Sequence, residues 1–329
     1  MITFAAKFNV MEDKNFRGHA ALITAYLIFG LNTPVSKAVL MYGGTSAMAL
    51  TFYRFAGATA LFWIASLFAK KDPVNRRDLF LLFVASMFGI LINQMSFIIG
   101  LSMTSPINAS VITTLAPIMT MLLAAFFLKE PITWKKVTGV LIGASGALLL
   151  ILNGNMAHHN GVSIEGDMLC VLSCFAFAIY LAAFKRLIVR HSAVTSMKWM
   201  FLFATVCSLP WCRRDVLTVD YAAMPADVYL RIAYVVVMAT FLAYLLVPVG
   251  QKSLRPTVVS MYNYLQPIVS SLVAVILGMD TFGWNKGAAS LLVFLGVYVV
   301  TQSKSRAQME AEKKSDTTRR RPFFHSKIQ

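Results

Sequence analysis

The chain has 329 residues, of which 58% are hydrophobic and only 13% are charged. About a quarter of the residues in a soluble domain are charged, so this composition excludes a water-soluble protein and requires that most of the surface contacts lipid. A formal net charge of +16 could indicate a nucleic-acid-binding protein, and the placement of the basic residues along the chain decides that question.

The apolar segments are long enough to form transmembrane helices, each of which needs about 20 mostly apolar residues. In chain order, the predicted spans are 18–41, 46–69, 78–100, 105–128, 132–152, 165–190, 194–212, 228–250, 256–278 and 283–303. The other segments are a polar N-terminus at 1–17 without a cleavable signal peptide, a polar linker at 153–164, and a basic tail at 304–329 that is predicted to be disordered. The predicted fold class is therefore an all-α membrane protein with ten transmembrane helices.

Basic residues divide unequally between the two sides of the predicted topology. With the N-terminus in the cytoplasm, 23 Lys and Arg residues lie on the inner side and four on the outer side. Cytoplasmic loops of membrane proteins carry such an excess, so both termini are predicted to be cytoplasmic and the linker 153–164 to be external. The net charge thus indicates orientation in the plasma membrane, and no nucleic-acid partner is predicted.

The second half of the chain repeats the first. Residues 106–140 align without a gap with residues 256–290 at a constant offset of 150. The two repeats, 18–152 and 165–303, contain five predicted spans each, and this odd number inserts them in opposite orientations. Many carriers build a central site that opens to either side from such inverted repeats.

The chain shows no enzyme signature. It has no His-Glu-x-x-His motif, no glycine-rich phosphate loop with Lys and no Gly-x-Ser-x-Gly motif, and its 4 Cys residues lack metal-ligand spacing with His. Its 14 acidic residues fall at span ends, in loops or in the tails, so a carboxylate proton relay within the membrane is not predicted. We therefore predict a protein without enzyme activity, cofactor or metal.

Three prolines are predicted to break transmembrane helices. A proline within a helix removes one N–H and frees the carbonyl four residues back, which in lipid needs a partner or a wet cavity. Pro117 frees the carbonyl of Thr113, and Pro267, at the matching position of the second repeat, frees that of Asn263. Pro34 is the third predicted break. Matching breaks in two halves indicate the site of a carrier; the alternative is that the prolines only kink helices for packing.

Arg54 is predicted to lie within the second span, about 12 Å from its outer end at 1.5 Å per residue. Burying arginine in lipid costs about 2.5–3.5 kcal/mol unless the side chain faces protein or water. It could bond a proline-freed carbonyl, snorkel to the interface, or bind an anionic group of a substrate. Lys37, near the outer end of the first span, is predicted to snorkel. Met200 stands at the position of Arg54 in the second repeat.

A substrate cavity is predicted around the matching helix breaks. Asn93 and Gln94 are adjacent, so one is expected to face this cavity and the other a neighbouring helix. The first half is expected to supply polar and cationic groups and the second half aromatic rings. Those rings are Tyr180, Trp199, Tyr244, Tyr262 and Tyr264. The predicted cavity residues are Asn32, Arg54, Asn93, Thr113, Tyr244, Asn263 and Gln266.

Small residues at a spacing of four mark one face of the fifth predicted span. Gly139, Gly143 and Ala147 form this face, and such faces let helices approach closely in membranes. The face is predicted to pack within the bundle or, alternatively, to form the contact of a homodimer. A small-molecule substrate and membrane lipid are the other expected partners.

Several of these residues form stretches that resemble the EamA branch of the drug/metabolite transporter superfamily, over roughly 17–303. The stretches are Asn32-Thr33-Pro34 with Lys37, Tyr53-Arg54-Phe55, Asn108-Ala109-Ser110, Leu115-Ala116-Pro117, and Lys129-Glu130-Pro131-Ile132-Thr133-Trp134. In the second copy of the last stretch, Asp280 replaces the Glu and Thr281 replaces the Pro. Met200 leaves the mirror position of Arg54 without a cation.

The resemblance implies ten helices in two inverted five-helix halves around a central cavity, and secondary transport, often export, of amino acids or other small metabolites. We therefore expect a secondary transporter, an exporter, in the plasma membrane of bacterial inner-membrane type. It would move a small organic metabolite such as an amino acid by alternating access. The alternatives are a nucleotide-sugar or sugar-phosphate carrier, which would need at least two cations in the cavity, and a membrane-embedded enzyme.

Overall fold

The computed structural model describes residues 2–42, 44–104, 109–110, 112–129, 131–155, 164–276 and 284–302. The predicted tail at 304–329 and most of the linker at 153–164 lie outside the described residues. Asp280 and Thr281, where the second copy of the repeated stretch differs from the first, lie outside them as well.

The described residues fold into helices, with no strand among them, which agrees with the predicted all-α class. We number the main helices in chain order. They are α1 (Ile2–Tyr42), α2 (Ala47–Phe68), α3 (Arg76–Met103), α4 (Thr113–Leu128), α5 (Trp134–Asn155), α6 (Ile164–Ala183), α7 (Ala193–Thr218), α8 (Ala226–Ser253), α9 (256–276) and α10 (Trp284–Thr301). A short helix, Lys185–Arg190, lies between α6 and α7.

Within the described part of the chain, six helices are long and apolar enough to cross a membrane. They are α1 over Asn15–Met41, α2, α3, α6, α7 and α8, and α4 is a shorter apolar helix. These helices make the chain a multi-pass membrane protein, while the full number of ten spans stays a prediction.

Several helix ends differ from the predicted spans. α1 begins at Ile2, so most of the segment 1–17 is helical although it is polar. The predicted span 165–190 ends at Ala183, and α7 continues to Thr218, past the predicted end at 212. Hydropathy marks where a helix leaves the lipid, whereas backbone hydrogen bonds decide where it ends, so the two limits need not coincide.

The helix packing repeats when the two halves are exchanged. α2 packs on α7, and α5 on α10. α3 and α4 both pack on α6, just as α8 and α9 both pack on α1. α4 also contacts α9 directly. Each half therefore places its first helix against the third and fourth helices of the other half, and the centre of the bundle is built from both halves.

Two lysines cap equivalent helix ends. Lys37 donates to the carbonyls of Leu101 and Thr104 at the end of α3, each at 2.9 Å, and Lys185 donates to the carbonyl of Leu254 at the end of α8. Carbonyls at a helix C-terminus have no partner within the helix, so an ammonium group satisfies them well. The ammonium of Lys37 therefore lies at the end of α3, and its predicted snorkelling to the interface stays a prediction.

The small-residue face of α5 packs against α10. A Cβ atom on Gly139 would lie 2.7 Å from the carbonyl oxygen of Gly296, and one on Gly296 would lie 2.6 Å from that of Gly139. Only glycine allows the two backbones to approach this closely. Gly139 and Gly143 of this face therefore pack within the chain, in agreement with the packing prediction. The alternative, a homodimer contact, stays a prediction.

Candidate functional site

A cavity lies at the centre of the bundle, between the two halves. It contains about 580 Å³ of space outside the protein atoms, its mouth included. Its lining comes from α1 to α4, α6, α8 and α9. The lining residues are Tyr26, Phe29, Asn32, Arg54, Asn93, Gln94, Phe97, Thr113, Ala116, Ser173, Cys174, Phe177, Tyr244, Asn263 and Gln266. All seven predicted cavity residues are among them, so the structure brings together the side chains that the sequence analysis grouped; that they bind a substrate stays a prediction.

Two wide helical turns place polar residues of α3 and α8 at the cavity. Met87–Ile92 in α3 and Val237–Leu242 in α8 are π-helical, at the same position of each half and directly before Asn93 and Ala243. Such turns are rare and often occur at functional sites. Sequence reasoning missed both, because they contain no proline. The residue that could have indicated the turn in α3 is Gly89, since a glycine within a span often marks a close approach. A Cβ atom there would lie 2.7 Å from the ring of Tyr180.

The breaks predicted at Pro117 and Pro267 are tightened turns rather than openings. Short 3₁₀ segments, Thr113–Leu115 and Tyr262–Tyr264, precede the two prolines. The carbonyl of Thr113 accepts from the N–H of Ala116, so the helix itself satisfies the group that Pro117 frees. The backbone carbonyl thus has a partner within its own helix, and the Thr113 and Asn263 side chains line the cavity.

The helix break predicted at Pro34 is wrong, because α1 continues through this residue without interruption. Pro34 costs the helix one hydrogen bond, while the residues on both sides stay packed on α8 and α9. The hydroxyl of Thr33 donates to the carbonyl of Phe29, one turn earlier in α1, at 3.5 Å.

Arg54 is buried, with 3% of its surface exposed, and its guanidinium reaches across the bundle. Its Nε donates to the hydroxyl of Thr240, in the π-helical turn of α8, at 3.0 Å. Its Nη1 has no hydrogen-bond partner among the residues that the structure describes, and no described Asp or Glu lines the cavity. Burial excludes the snorkelling alternative. Because arginine keeps its charge at neutral pH, an uncompensated positive charge faces the cavity.

Hydrogen bonds between helices orient several of the predicted residues. The Tyr244 hydroxyl donates to Asn93 Oδ1 at 3.1 Å, and Asn93 Nδ2 donates to the carbonyl of Ser173 at 3.0 Å. On α9, Gln266 Nε2 donates to Asn263 Oδ1 at 2.9 Å. These bonds tie α3, α6 and α8 together at the cavity, so the amides present defined donors and acceptors to its interior.

Gln94 and Tyr26 belong to the lining although the sequence analysis did not include them. Asn93 and Gln94 both line the cavity, so the expectation that one of them faces elsewhere is wrong. Gln94 lies beside Tyr244, and Tyr26 lies beside Asn263. None of these neighbours has good hydrogen-bond geometry towards the amide of Gln94 or the hydroxyl of Tyr26 in the described part of the chain. Adjacent residues of an α-helix point about 100° apart, so the cavity extends around enough of α3 to meet both side chains.

The expected division into a polar first half and an aromatic second half is wrong. The first half supplies Tyr26, Phe29 and Phe97 to the cavity, and the Phe29 ring meets Tyr244 edge-on at 5.6 Å between centroids. Trp199 lies elsewhere, against Trp63 and beneath the ammonium of Lys198. The expectation counted Tyr and Trp residues and overlooked the Phe residues, which pass for ordinary packing residues in an apolar span.

Comparisons with known proteins identify a family, two relatives and a solved structure that this chain resembles. A family model described as "EamA-like transporter family" matches residues 16–152 and 164–302. An uncharacterized transporter of Archaeoglobus fulgidus is 27% identical over 79% of this chain and 90% of that protein. The uncharacterized transporter YyaM of Bacillus subtilis is 25% identical over 84% of this chain and 91% of that protein. A solved crystal structure with 18% identity covers 92% of this chain and 99% of its own with a TM-score of 0.69, which shows a shared fold.

Proposed function

Because the chain belongs to the EamA-like transporter family, we propose that it is a secondary transporter that exports a small carboxylate-bearing metabolite, such as an amino acid, by alternating access. The matched relatives are named as transporters, which indicates a transporter family rather than an enzyme family. The observation that carries the choice of substrate is the unpartnered Nη1 of Arg54 in a cavity whose described lining has no carboxylate.

A carboxylate suits this cavity on grounds of charge and hydrogen bonding. A buried arginine without a counter-ion is costly, and a charge-assisted bond to a carboxylate compensates for that cost. Gln94 offers a further donor and an acceptor, and the rings of Phe29, Phe97 and Phe177 offer an apolar wall. A small solute with one negative charge and an apolar or aromatic body complements these groups.

Alternating access requires that the cavity open to each side of the membrane in turn. The exchange-symmetric packing of the two halves supports a rocking motion of one against the other around the cavity. In this proposal the two five-helix repeats are inverted and both termini are cytoplasmic. The linker 153–164 is then external, and the membrane is the plasma membrane of bacterial inner-membrane type. The asymmetric distribution of basic residues supports this orientation.

A nucleotide-sugar or sugar-phosphate carrier is less well supported. Phosphate groups bring more negative charge than a single carboxylate and call for several cations. Arg54 is the only cation among the described residues that line the cavity. Lys198, on α7, does not line the cavity; its ammonium lies 5.0 Å from the centre of the Trp63 ring.

Transport in proteoliposomes tests the proposal. A panel of carboxylate solutes is compared with their methyl esters, for the wild type and for Arg54→Met. Loss of a charge-assisted bond of about 1.5–3 kcal/mol should lower the transport of the carboxylate about 10- to 100-fold, and Arg54→Lys should retain part of it. Lys198→Met is the matched control and should transport normally. Equal transport of the acid by Arg54→Met and by the wild type would refute the role of Arg54.

A further inference from the structure

Charged side chains from both halves meet at one end of the bundle, where α2 ends and α3 begins. Asp72 lies in the loop between these helices, and Asp78 lies in the first turn of α3. From the other half, Arg190 ends the short helix before α7, and His191 follows it. We call these four residues the latch.

His191 is at the centre of the latch, with 6% of its side chain exposed. Its Nδ1 lies 3.0 Å from Asp72 Oδ1, and its Nε2 lies 3.1 Å from Asp78 Oδ2. Each ring nitrogen thus lies within hydrogen-bond distance of a different carboxylate. His191 therefore links two acidic residues of the first half.

The other contacts complete the latch. Arg190 Nη1 donates to both oxygens of Asp78, at 2.7 and 2.9 Å, and the backbone N–H of Ser192 donates to Asp72 Oδ2 at 2.6 Å. The Asp78 carboxylate, only 2% of which is exposed, thus meets the guanidinium of Arg190 and the ring of His191. Lys252, at the end of α8, adds a favourable interaction with Asp72. A buried ionic group of this kind depends on every partner, because removing one leaves a charge unpaired.

The opposite end of the bundle is held differently. There the described ion pair, Arg231 with Asp227, lies within α8, so it joins nothing across the halves. Hydroxyl groups make the contacts between the halves there. Tyr53 and Tyr221 lie 2.9 Å apart, oxygen to oxygen, beside an apolar groove. Ser46 donates to Asp215 Oδ2 at 2.5 Å, and Thr104 donates to Asp167 Oδ1 at 2.7 Å. In the described part of the chain, ion pairs therefore join the halves at the latch end, whereas hydrogen bonds of hydroxyl groups join them at the opposite end.

We propose that the latch is a gate, which holds its end of the bundle closed and breaks in each transport cycle when the cavity opens there. This inference rests on the alternating access proposed above, in which the latch end is the cytoplasmic end. The latch residues come from opposite halves, so a rocking motion that separates the halves at this end must separate Asp72 and Asp78 from His191.

Cys174 is a native reporter for this gate, because its side chain lines the cavity. In a background in which Cys170, Cys207 and Cys212 are replaced by Ala, a membrane-impermeant maleimide is added to the latch side of oriented vesicles. The wild type should be labelled slowly, and Asp78→Asn should be labelled about tenfold faster, as the closed population falls. Labelling of Asp78→Asn at the wild-type rate would overturn the proposal.

The control variant is Asp227→Asn, which breaks the exposed ion pair at the opposite end and should leave labelling from the latch side unchanged. If Asp78→Asn does not fold, His191→Gln takes its place, since glutamine can donate to one carboxylate but not to both. Its labelling should rise in the same direction, and an unchanged rate again refutes the gate.

A disulfide provides a second, independent measurement. Asp72→Cys with Ser192→Cys, in a background without other cysteines, places two thiols at positions that are in contact through the 2.6 Å bond. Oxidation should stop transport, and a reductant should restore it; transport by the oxidised protein at the reduced rate would contradict the gate. If the wild type transports no carboxylate solute, the proposed function fails, while the labelling of Cys174 still decides whether the latch closes this end.

Discussion

The two halves share a backbone plan but bring different charge to the cavity. In the first half, α2 carries Arg54, and its guanidinium meets Thr240 in the π-helical turn of the second half. In the second half, α7 carries Met200 at the matching position, and the residue that matches Thr240 at the offset of 150 is Ile90. Both Met200 and Ile90 are fully buried.

This difference shows which features tolerate divergence after duplication. The wide turns, the tightened turns and the lysine caps occur in both halves, because each of them satisfies backbone groups that lipid cannot hydrate. The side chains at the positions of Arg54 and Thr240 are free of that requirement, so one half has an arginine with a hydroxyl partner and the other half has an apolar pair at the matching positions. The cavity therefore has one fixed cation in its described lining instead of two.

The largest effect is expected when the missing cation is restored. Met200→Arg would place a second guanidinium in a fully buried site, and Ile90, at the position that matches Thr240, has no polar group to receive it. We expect a loss of about 3–5 kcal/mol in the free energy of unfolding, measured as a lower thermal midpoint in detergent. The double variant Met200→Arg with Ile90→Thr recreates the partner hydroxyl and should recover part of the loss. A single variant as stable as the wild type would show that the halves are not equivalent at this position.

A smaller and equal effect is expected at the two lysine caps. Lys37→Met and Lys185→Met each remove an ammonium group from the carbonyls at a helix end. Each variant should lose about 1.5–3 kcal/mol of stability, and the two losses should be similar because the caps occupy equivalent places. The thermal midpoints of both variants are measured together with that of a control, Lys198→Met. The ammonium of Lys198 lies over aromatic rings and caps no helix end. A large loss in one variant only would show that the caps have diverged.

The smallest expected effect is on the pH dependence of stability, to which the latch end contributes through Asp72 and the opposite end does not. Burial raises the pKa of the Asp72 carboxyl, but the Ser192 N–H and His191 lower it by more, so the pKa lies below its usual value. Such a carboxyl contributes stability above its unfolded pKa of about 4, and that contribution is lost as the pH falls through the lowered value. The difference in thermal midpoint between the wild type and Asp72→Asn should therefore shrink as the pH is lowered from 7 towards 3. A difference that stays constant with pH would contradict this linkage; Asp227→Asn is the control at the opposite end.

Much of the cavity could be predicted because few polar residues are compatible with an apolar span. Asn32, Arg54 and Asn93 interrupt apolar segments, and each would be costly against lipid, so they had to face the interior. Thr113 and Asn263 were marked by the prolines four residues later, at matching positions. The same reasoning failed at Pro34, since a helix that is packed on both sides can lose one hydrogen bond and remain continuous.

Other features depend on contacts between residues that are far apart in the chain. The latch joins Asp78 to Arg190, and the caps join Lys37 to Thr104, and nothing in the local sequence of either partner indicates the other. The π-helical turn before Asn93 arises where Gly89 lies against Tyr180. Sequence periodicity gives the direction of each side chain but not how far the cavity extends around the helix, so it could not anticipate that Asn93 and Gln94 both line the cavity.

The amino-acid sequence alone indicates a helical membrane protein, because helices that cross lipid need long apolar segments. Its internal repeat also indicates duplication, and the scarcity of polar residues in the spans shows which side chains must avoid lipid. What those side chains contact depends on the fold: Thr240 beside Arg54, the helix-end carbonyls beside Lys37, and two carboxylates around His191. Hydrogen bonds and ion pairs act over about 3 Å, and only the packing of the helices brings distant residues within that distance.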